Sequence, residues 1–170
     1  MICPQCSYDN LPGSELCDRC QQDLTQLDQP VAQDRVHRSL MEDPVSALRP
    51  RAPVAVRPEA PVHDAMRIML ENNIGAVLVL DGAGKLVGIL SERDLLMKVA
   101  MEVMPAEGRA VADFMTRDPE TVVATDTLAF ALHKMDSGGY RHLPVLAEGR
   151  PVGVISVRDM LHHFTRLCNG

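Results

Sequence analysis

The chain lacks tryptophan altogether, and only 3% of its 170 residues are aromatic. Long apolar runs are missing too: the longest, Ala76-Val77-Leu78-Val79-Leu80, falls far short of the roughly 20 residues of a transmembrane helix. Residues 1–20 show no basic segment followed by an apolar stretch, so no secretion signal is expected and a cytoplasmic location is. Basic charge is also short. Lys and Arg number 17 against 23 Asp and Glu, a net charge of −6 with a pI near 5.4, which argues against a general electrostatic grip on nucleic acid. No GxSxG, HExxH or P-loop pattern occurs. His162-His163 near Cys168 lack the third orienting group that a nucleophile pair requires, so no enzymatic activity is expected. What remains is a 46% hydrophobic chain whose length suits one compact domain of about 100–150 residues with a small appendage. Its ten methionines are spread over the helical stretches and read as core filler.

Four of the five cysteines stand at Cys3, Cys6, Cys17 and Cys20, the spacing C-x2-C-x10-C-x2-C. Two CxxC knuckles aim four thiolates at one point, which suits Zn²⁺ in a closed structural site with no open position for substrate. Iron is a chemical competitor for the same four thiolates. Two disulfides would need an oxidising compartment that nothing in the sequence indicates. Pro4 and Pro12-Gly13 supply the turns. The segment from Cys3 to Leu24 resembles the short zinc-ribbon family found at the ends of many prokaryotic proteins, whose members bind DNA, RNA or protein. In residues 1–24, Asp9, Glu15, Asp18 and Asp23 outweigh Arg19, a balance of −3 that four thiolates around one Zn²⁺ take to −5. Such a surface repels phosphate, so a protein contact is the expectation. Residues 25–44 read as a tether with a short helix around Ala32 to Met41. The more basic stretch, Arg35, Arg38, Arg49, Arg51 and Arg57 against Asp34, Glu42 and Asp43, reads as solvated linker, with nucleic-acid contact as the alternative.

From Val45 onward the chain aligns with itself. At an offset of 66, Val45, Pro53, Val56, Ala65, Met69 and Val79 coincide with Val111, Pro119, Val122, Ala131, Met135 and Val145. At an offset of 65, Gly88, Ser91, Arg93, Asp94 and Leu96 coincide with Gly153, Ser156, Arg158, Asp159 and Leu161. Neither copy is large enough to bury its own apolar face, so the two should pack on each other. Periodicity places in each copy a short extended piece (54–56, 121–123), a helix (63–72, 127–137) and two strands joined by a turn (76–80 with 86–90, 143–146 with 151–155). A second helix opens at Ser91 and Ser156, with Asp94 and Asp159 at its third position.

The order β-α-β-β-α, its repetition and the signatures Gly88-Ile-Leu-Ser-Glu-Arg-Asp94 and Gly153-Val-Ile-Ser-Val-Arg-Asp159 resemble two cystathionine-β-synthase (CBS) domains, together a Bateman module. The resemblance implies an α+β fold of two CBS repeats, residues 45–104 and 105–170, packed as a pseudo-twofold pair beside the small four-cysteine zinc ribbon of residues 1–24. It also implies a cleft for an adenosine-containing ligand (AMP, ADP, ATP or S-adenosylmethionine) and a homodimer. A helix N-terminus with Ser91 or Ser156 and the forked cation of Arg93 or Arg158 suits a phosphate. Asp94 or Asp159 can accept both hydroxyls of a ribose. The family pattern suggests that Val56 and Ala76 in the first copy, and Val122 and His142 in the second, flank the base. The same serine and aspartate also make an ordinary helix cap that needs no ligand.

The copies differ in two places. Arg141 and His142 precede the strand of the second copy, which favours the Asp159 site for a phosphate-rich ligand. Pro50 stands where the second copy has Thr116, which lowers the expectation for the first site. The function expected is a non-enzymatic sensor; a nucleic-acid-associated regulator or a ligand-free dimerisation module are the alternatives.

Overall fold

A computed structural model describes residues 2–11, 14–25, 34–101 and 108–169. The expected turn at Pro12-Gly13, residues 26–33 of the expected tether and the junction between the copies at 104/105 lie outside the described residues. Contacts divide the chain into two units, Met1–Asp34 and Arg35–Gly170.

The first unit is a pair of matching knuckles. Ile2 bridges Asp9 and Leu16 bridges Asp23, both antiparallel. In each, the amide of the first cysteine donates across the turn, Cys3 N to Tyr8 O at 2.9 Å and Cys17 N to Gln22 O at 2.8 Å. The residue after the second cysteine takes a left-handed conformation in both, Ser7 at φ 58° and Gln21 at φ 60°. The buried Asn10 ties the two together, its Oδ1 accepting from Asp18 N at 2.9 Å.

The second unit holds α1 (Arg35–Glu42), a 3-10 turn at Val45–Leu48, β1 (Ala55–Val56), α2 (Val62–Glu71), β2 (Ala76–Leu80), β3 (Leu86–Ser91) and α3 (Glu92–Met101). It continues with α4 (Val111–Phe114), β4 (Thr116–Arg117), β5 (Val122–Val123), α5 (Leu128–Gly138), β6 (His142–Ala147), β7 (Arg150–Ser156) and α6 (Val157–Cys168). The strands and helices expected in the two copies fall within one or two residues of these bounds. One sheet has the order β1-β2-β3-β4 and the other β5-β6-β7. In each the first pair is parallel and the second antiparallel. Strand β2 is buried from Ala76 to Val79, because one face (Val77, Val79) meets α2 while the other (Ala76, Leu78) packs toward the second sheet with Ile89 and Val154.

The pseudo-twofold relation is expressed by an exchange of arms. Val45 and Leu48, from the start of the first copy, lie in the core built by Val122, Leu128, Ala131, Met135 and Val145 of the second. Their counterparts Val111 and Phe114 lie in the core of the first, with Val62, Ala65, Met69 and Val79. The backbone repeats the exchange bond for bond. Val45 N donates to Asp126 O at 2.7 Å and Leu128 N to Asp43 O at 3.0 Å, while Val111 N donates to Ala60 O at 2.8 Å and Val62 N to Arg109 O at 2.9 Å. Helix α1 falls where a short helix is expected in the tether, within three residues of its bounds. It packs on α5 and α6 with Ser39 buried, because Leu40 covers the second core. There the hydroxyl of Ser39 donates to Asp43 Oδ2, which leaves Ser39 Oγ to accept from His163 Nε2 at 2.8 Å.

Candidate functional site

Both signatures fold as sequence predicts. In the first, Ser91 N and Ser91 Oγ donate to Asp94 Oδ2 at 2.9 and 2.5 Å, and Asp94 N returns a bond to Ser91 Oγ at 3.3 Å. In the second, Ser156 N and Oγ donate to Asp159 Oδ2 at 2.8 and 2.6 Å, and Asp159 N returns to Ser156 Oγ at 3.2 Å. These are matched capping boxes, each holding a carboxylate at a helix N-terminus where the backbone dipole favours negative charge.

What surrounds the two boxes is not matched. The arm that crosses to the first copy brings Thr116, whose hydroxyl donates to Asp94 Oδ1 at 3.0 Å. Lys98 on α3 fixes this arm by donating to Phe114 O at 2.5 Å and Met115 O at 3.2 Å. The arm that crosses to the second copy carries Pro50 instead, packed so that a Cβ on Gly153 would meet the proline Cβ at 2.6 Å. Pro50 offers neither hydroxyl nor N–H. The defect read at Pro50 therefore belongs to the Asp159 box, and the intact threonine to the Asp94 box.

A cleft of about 550 Å³ opens at the Asp94 box, lined among others by Ser91, Arg93, Asp94, Thr116, Arg141 and His142. The volume is within the range of small-molecule sites. Arg141 and His142 line this cleft beside the first signature, and both also adjoin the second: His142 pairs with Ser156 in the sheet, and Val157 N donates to Arg141 O at 3.0 Å. Arg93 Nη1 donates to Gly139 O at 2.8 Å, so the end of α5 closes on the start of α3. Gly139 takes φ 64°, a left-handed helix end that glycine adopts without steric cost. The imidazole of His142 lies over Gly75, where a Cβ would sit 2.8 Å from its Nε2 and 3.4 Å from Glu92 Oε2. Its Nδ1 is buried without a hydrogen-bond partner among the described residues. Burial pushes the ring below the usual histidine value; Glu92 and Asp159 pull it up, Arg141 pushes it down and Asp94 pulls it up.

The remaining expected residues are elsewhere. Val122 is buried in the second core. Val56 packs against the first core and borders a shallow hollow of about 220 Å³ with Arg57 and Asp81. Ala76 is buried between the sheets beside Ile89, which does line the cleft. Arg158 is exposed, and neither it, Ser156 nor Asp159 lines this cleft. Glu92, Lys98, Thr116 and Tyr140 line it without having been expected there. The position of Thr116 opposite Pro50 in the repeat was the available signal.

In the first unit, Cys3, Cys6, Cys17 and Cys20 place their sulfurs within 4.8 Å of one another. The four are unbridged, with Cys3 Sγ to Cys20 Sγ and Cys6 Sγ to Cys17 Sγ both at 3.6 Å. A tetrahedron of sulfurs at about 2.3 Å from a metal has edges near 3.8 Å, so the set fits a four-thiolate ion. Burial opposes ionisation of Cys17, but the N–H groups of Cys20 and Arg19 with Cys6 and Asn10 outweigh it and bring its thiol to about 6. At Cys20 the N–H of Gln22 lowers the value, yet burial and Cys6, Cys3 and Cys17 push it up to about 12. Packed thiols cannot all ionise together; a divalent cation at their centre removes that conflict.

Comparison with known proteins agrees with the fold. A 17.7 kDa uncharacterized protein of Acidianus ambivalens is 30% identical over 121 residues, 71% of this chain and 72% of that protein. CBS domain-containing protein CBSCBSPB2 of Arabidopsis thaliana is 34% identical over 122 residues, and this chain spans only 23% of its length. The crystal structure of a CBS domain protein from Pyrobaculum aerophilum complexed with AMP is similar with a TM-score of 0.64 at 27% identity, covering 75% of this chain and 99% of that one. The CBS domain model matches residues 40–101 and 111–166. The chain belongs to the CBS domain family, as a tandem CBS protein with a four-cysteine cluster at its N-terminus.

Proposed function

We propose that this chain is a non-enzymatic regulatory protein that binds one adenosine-containing ligand in the cleft at Asp94. The observation that carries the reading is the convergence there of a capped helix N-terminus, the Asp94–Thr116 pair and the cations Arg93 and Arg141, in a cleft of about 550 Å³. Asp94 Oδ1 accepts from Thr116 and keeps a second lone pair for a ribose hydroxyl; Arg93, Arg141 and the first-turn N–H groups suit a phosphate. The AMP held by the Pyrobaculum aerophilum protein supports the ligand class. The Asp159 box, with Pro50 at its side, serves as a helix cap.

The four cysteines hold zinc as a folding device, and a reducing compartment such as the cytoplasm suits their unbridged thiols. Exposed Ile2, Leu11 and Leu16 in the first unit, at 68%, 76% and 50%, supply an apolar surface for a protein partner. The repeat-related Leu96 on α3 and Leu161 on α6, 69% and 65% exposed, supply one for a homodimer. Titration calorimetry with AMP, ADP, ATP and S-adenosylmethionine tests the reading. One ligand per chain, lost in Asp94→Ala and kept in Asp159→Ala, is expected. Silence toward all four from folded protein overturns it in favour of an empty dimerisation module.

A further inference from the structure

His142 is unusual for a strand residue next to a solvent-accessible cleft. Its Nδ1 is shut off from water and has no partner among the described residues, a condition that costs stability and that folding alone does not require. The ring packs directly on the bare backbone of residue 75, where a Cβ would come within 2.9 Å of both Nε2 and Cε1. The charged groups that face the ring are Glu92 and Asp94 from α3, Asp159 from α6 and Arg141 from its own strand. Burial outweighs the three carboxylates, so in the empty cleft the ring is neutral near pH 7. Arg93, Lys98 and Arg141 line the same cleft, but Arg93 is engaged with Gly139 O and Lys98 with Phe114 O and Met115 O.

We propose that a phosphomonoester enters this cleft together with a proton that settles on His142, so that the site selects phosphorylated adenosine ligands and holds them more tightly as the pH falls. The inference rests on the nucleotide reading of the cleft and adds to it the ligand's phosphate and a dependence on pH. A phosphate carries about −1.5 to −2 charge at pH 7. Placed beside the ring, that charge offsets the burial that keeps the imidazole neutral. The sign follows from linkage: where the bound form holds a proton that the free form lacks, affinity falls about tenfold per pH unit through the window between the ring's two values. Below the free-ring value both forms are protonated and the dependence ends. Without ligand the sign reverses, and the fold loses stability as the pH drops through the ordinary histidine range, since the unfolded chain protonates more readily.

The test is an NMR pH titration of the His142 Cε1–H signal in the full chain, assigned by its absence in His142→Gln, alone and saturated with AMP or adenosine. Calorimetry of AMP binding at pH 7.5 in buffers of different ionisation heat counts the protons, at a pH where the phosphate of AMP itself is already ionised. The expected result is a rise of the His142 midpoint with AMP and not with adenosine, with a proton uptake by the wild-type chain that His142→Gln lacks. AMP binding that leaves the His142 midpoint unmoved, or equal uptake in both chains, overturns the inference while the nucleotide reading stands. Binding of S-adenosylmethionine alone, which has no phosphate, does the same. If none of AMP, ADP, ATP or S-adenosylmethionine binds, both fall together.

Discussion

Asp94 and Asp159 show how little a motif decides without its surroundings. Their capping bonds agree within about 0.1 Å at every contact, and they differ in one oxygen: Asp94 Oδ1 has the Thr116 hydroxyl. Replacing Thr116 by valine keeps the volume and removes that bond. The expected cost is about 1 kcal/mol, read as a fall in Tm of about 2–4 °C, with a larger loss in ligand affinity than any stability change explains. A Thr116→Val chain that binds as well as wild type would make the threonine a spectator. Ser39 carries a separate prediction, because its hydroxyl stands between Asp43 and His163 in the interface of α1 with α6. Ser39→Ala removes two hydrogen bonds and leaves Asp43 and His163 only their own 3.3 Å contact, and should cost about 1 kcal/mol in denaturant unfolding, without touching the cleft. Gly75→Ala acts in the reverse manner. Its new methyl displaces the His142 ring, so ligand affinity should fall several-fold while the Tm drops only a few degrees.

At the scale of elements, local patterns set local structure and could not set its partners. The helices and strands of both copies were legible from periodicity, turn residues and caps. Ser156 is the N-cap of α6, and Thr127 that of α5, accepting from Phe130 N. The exchange of arms was not legible. Whether Val45 packs on the helix that follows it or on the one sixty-six residues later depends on tertiary packing, and both are apolar surfaces of the same repeated kind. That single ambiguity exchanged Pro50 and Thr116 between the two boxes. The side taken by Val56 and Val122 was not legible for a related reason: strand β1 and strand β5 are two residues long, and in such short pieces periodicity cannot tell the core face from the cleft face. Helix α1 was half legible, its polar sequence masking the packing of Leu40 and Ser39 on the second core.

At the scale of the whole molecule the two units have separate cores. Cys3, Cys17 and Leu24 form that of residues 1–34, too small to fold without a metal at its centre. A strong chelator should therefore erase amide protection in residues 2–25 and leave that of residues 35–169 in place, read by hydrogen exchange. Loss of protection throughout would mean that the second unit depends on the first. The apolar pair Leu96 and Leu161 predicts a dimer that Leu96→Asp with Leu161→Asp converts to a monomer in sedimentation velocity. The central claim is that the arm exchange leaves one competent cleft, and a crystal structure of the full chain grown with AMP tests it most directly. The account predicts AMP beside Asp94, Thr116, Arg141 and His142, with nothing beside Asp159 and Pro50. AMP at the Asp159 box, alone or in addition, would contradict it.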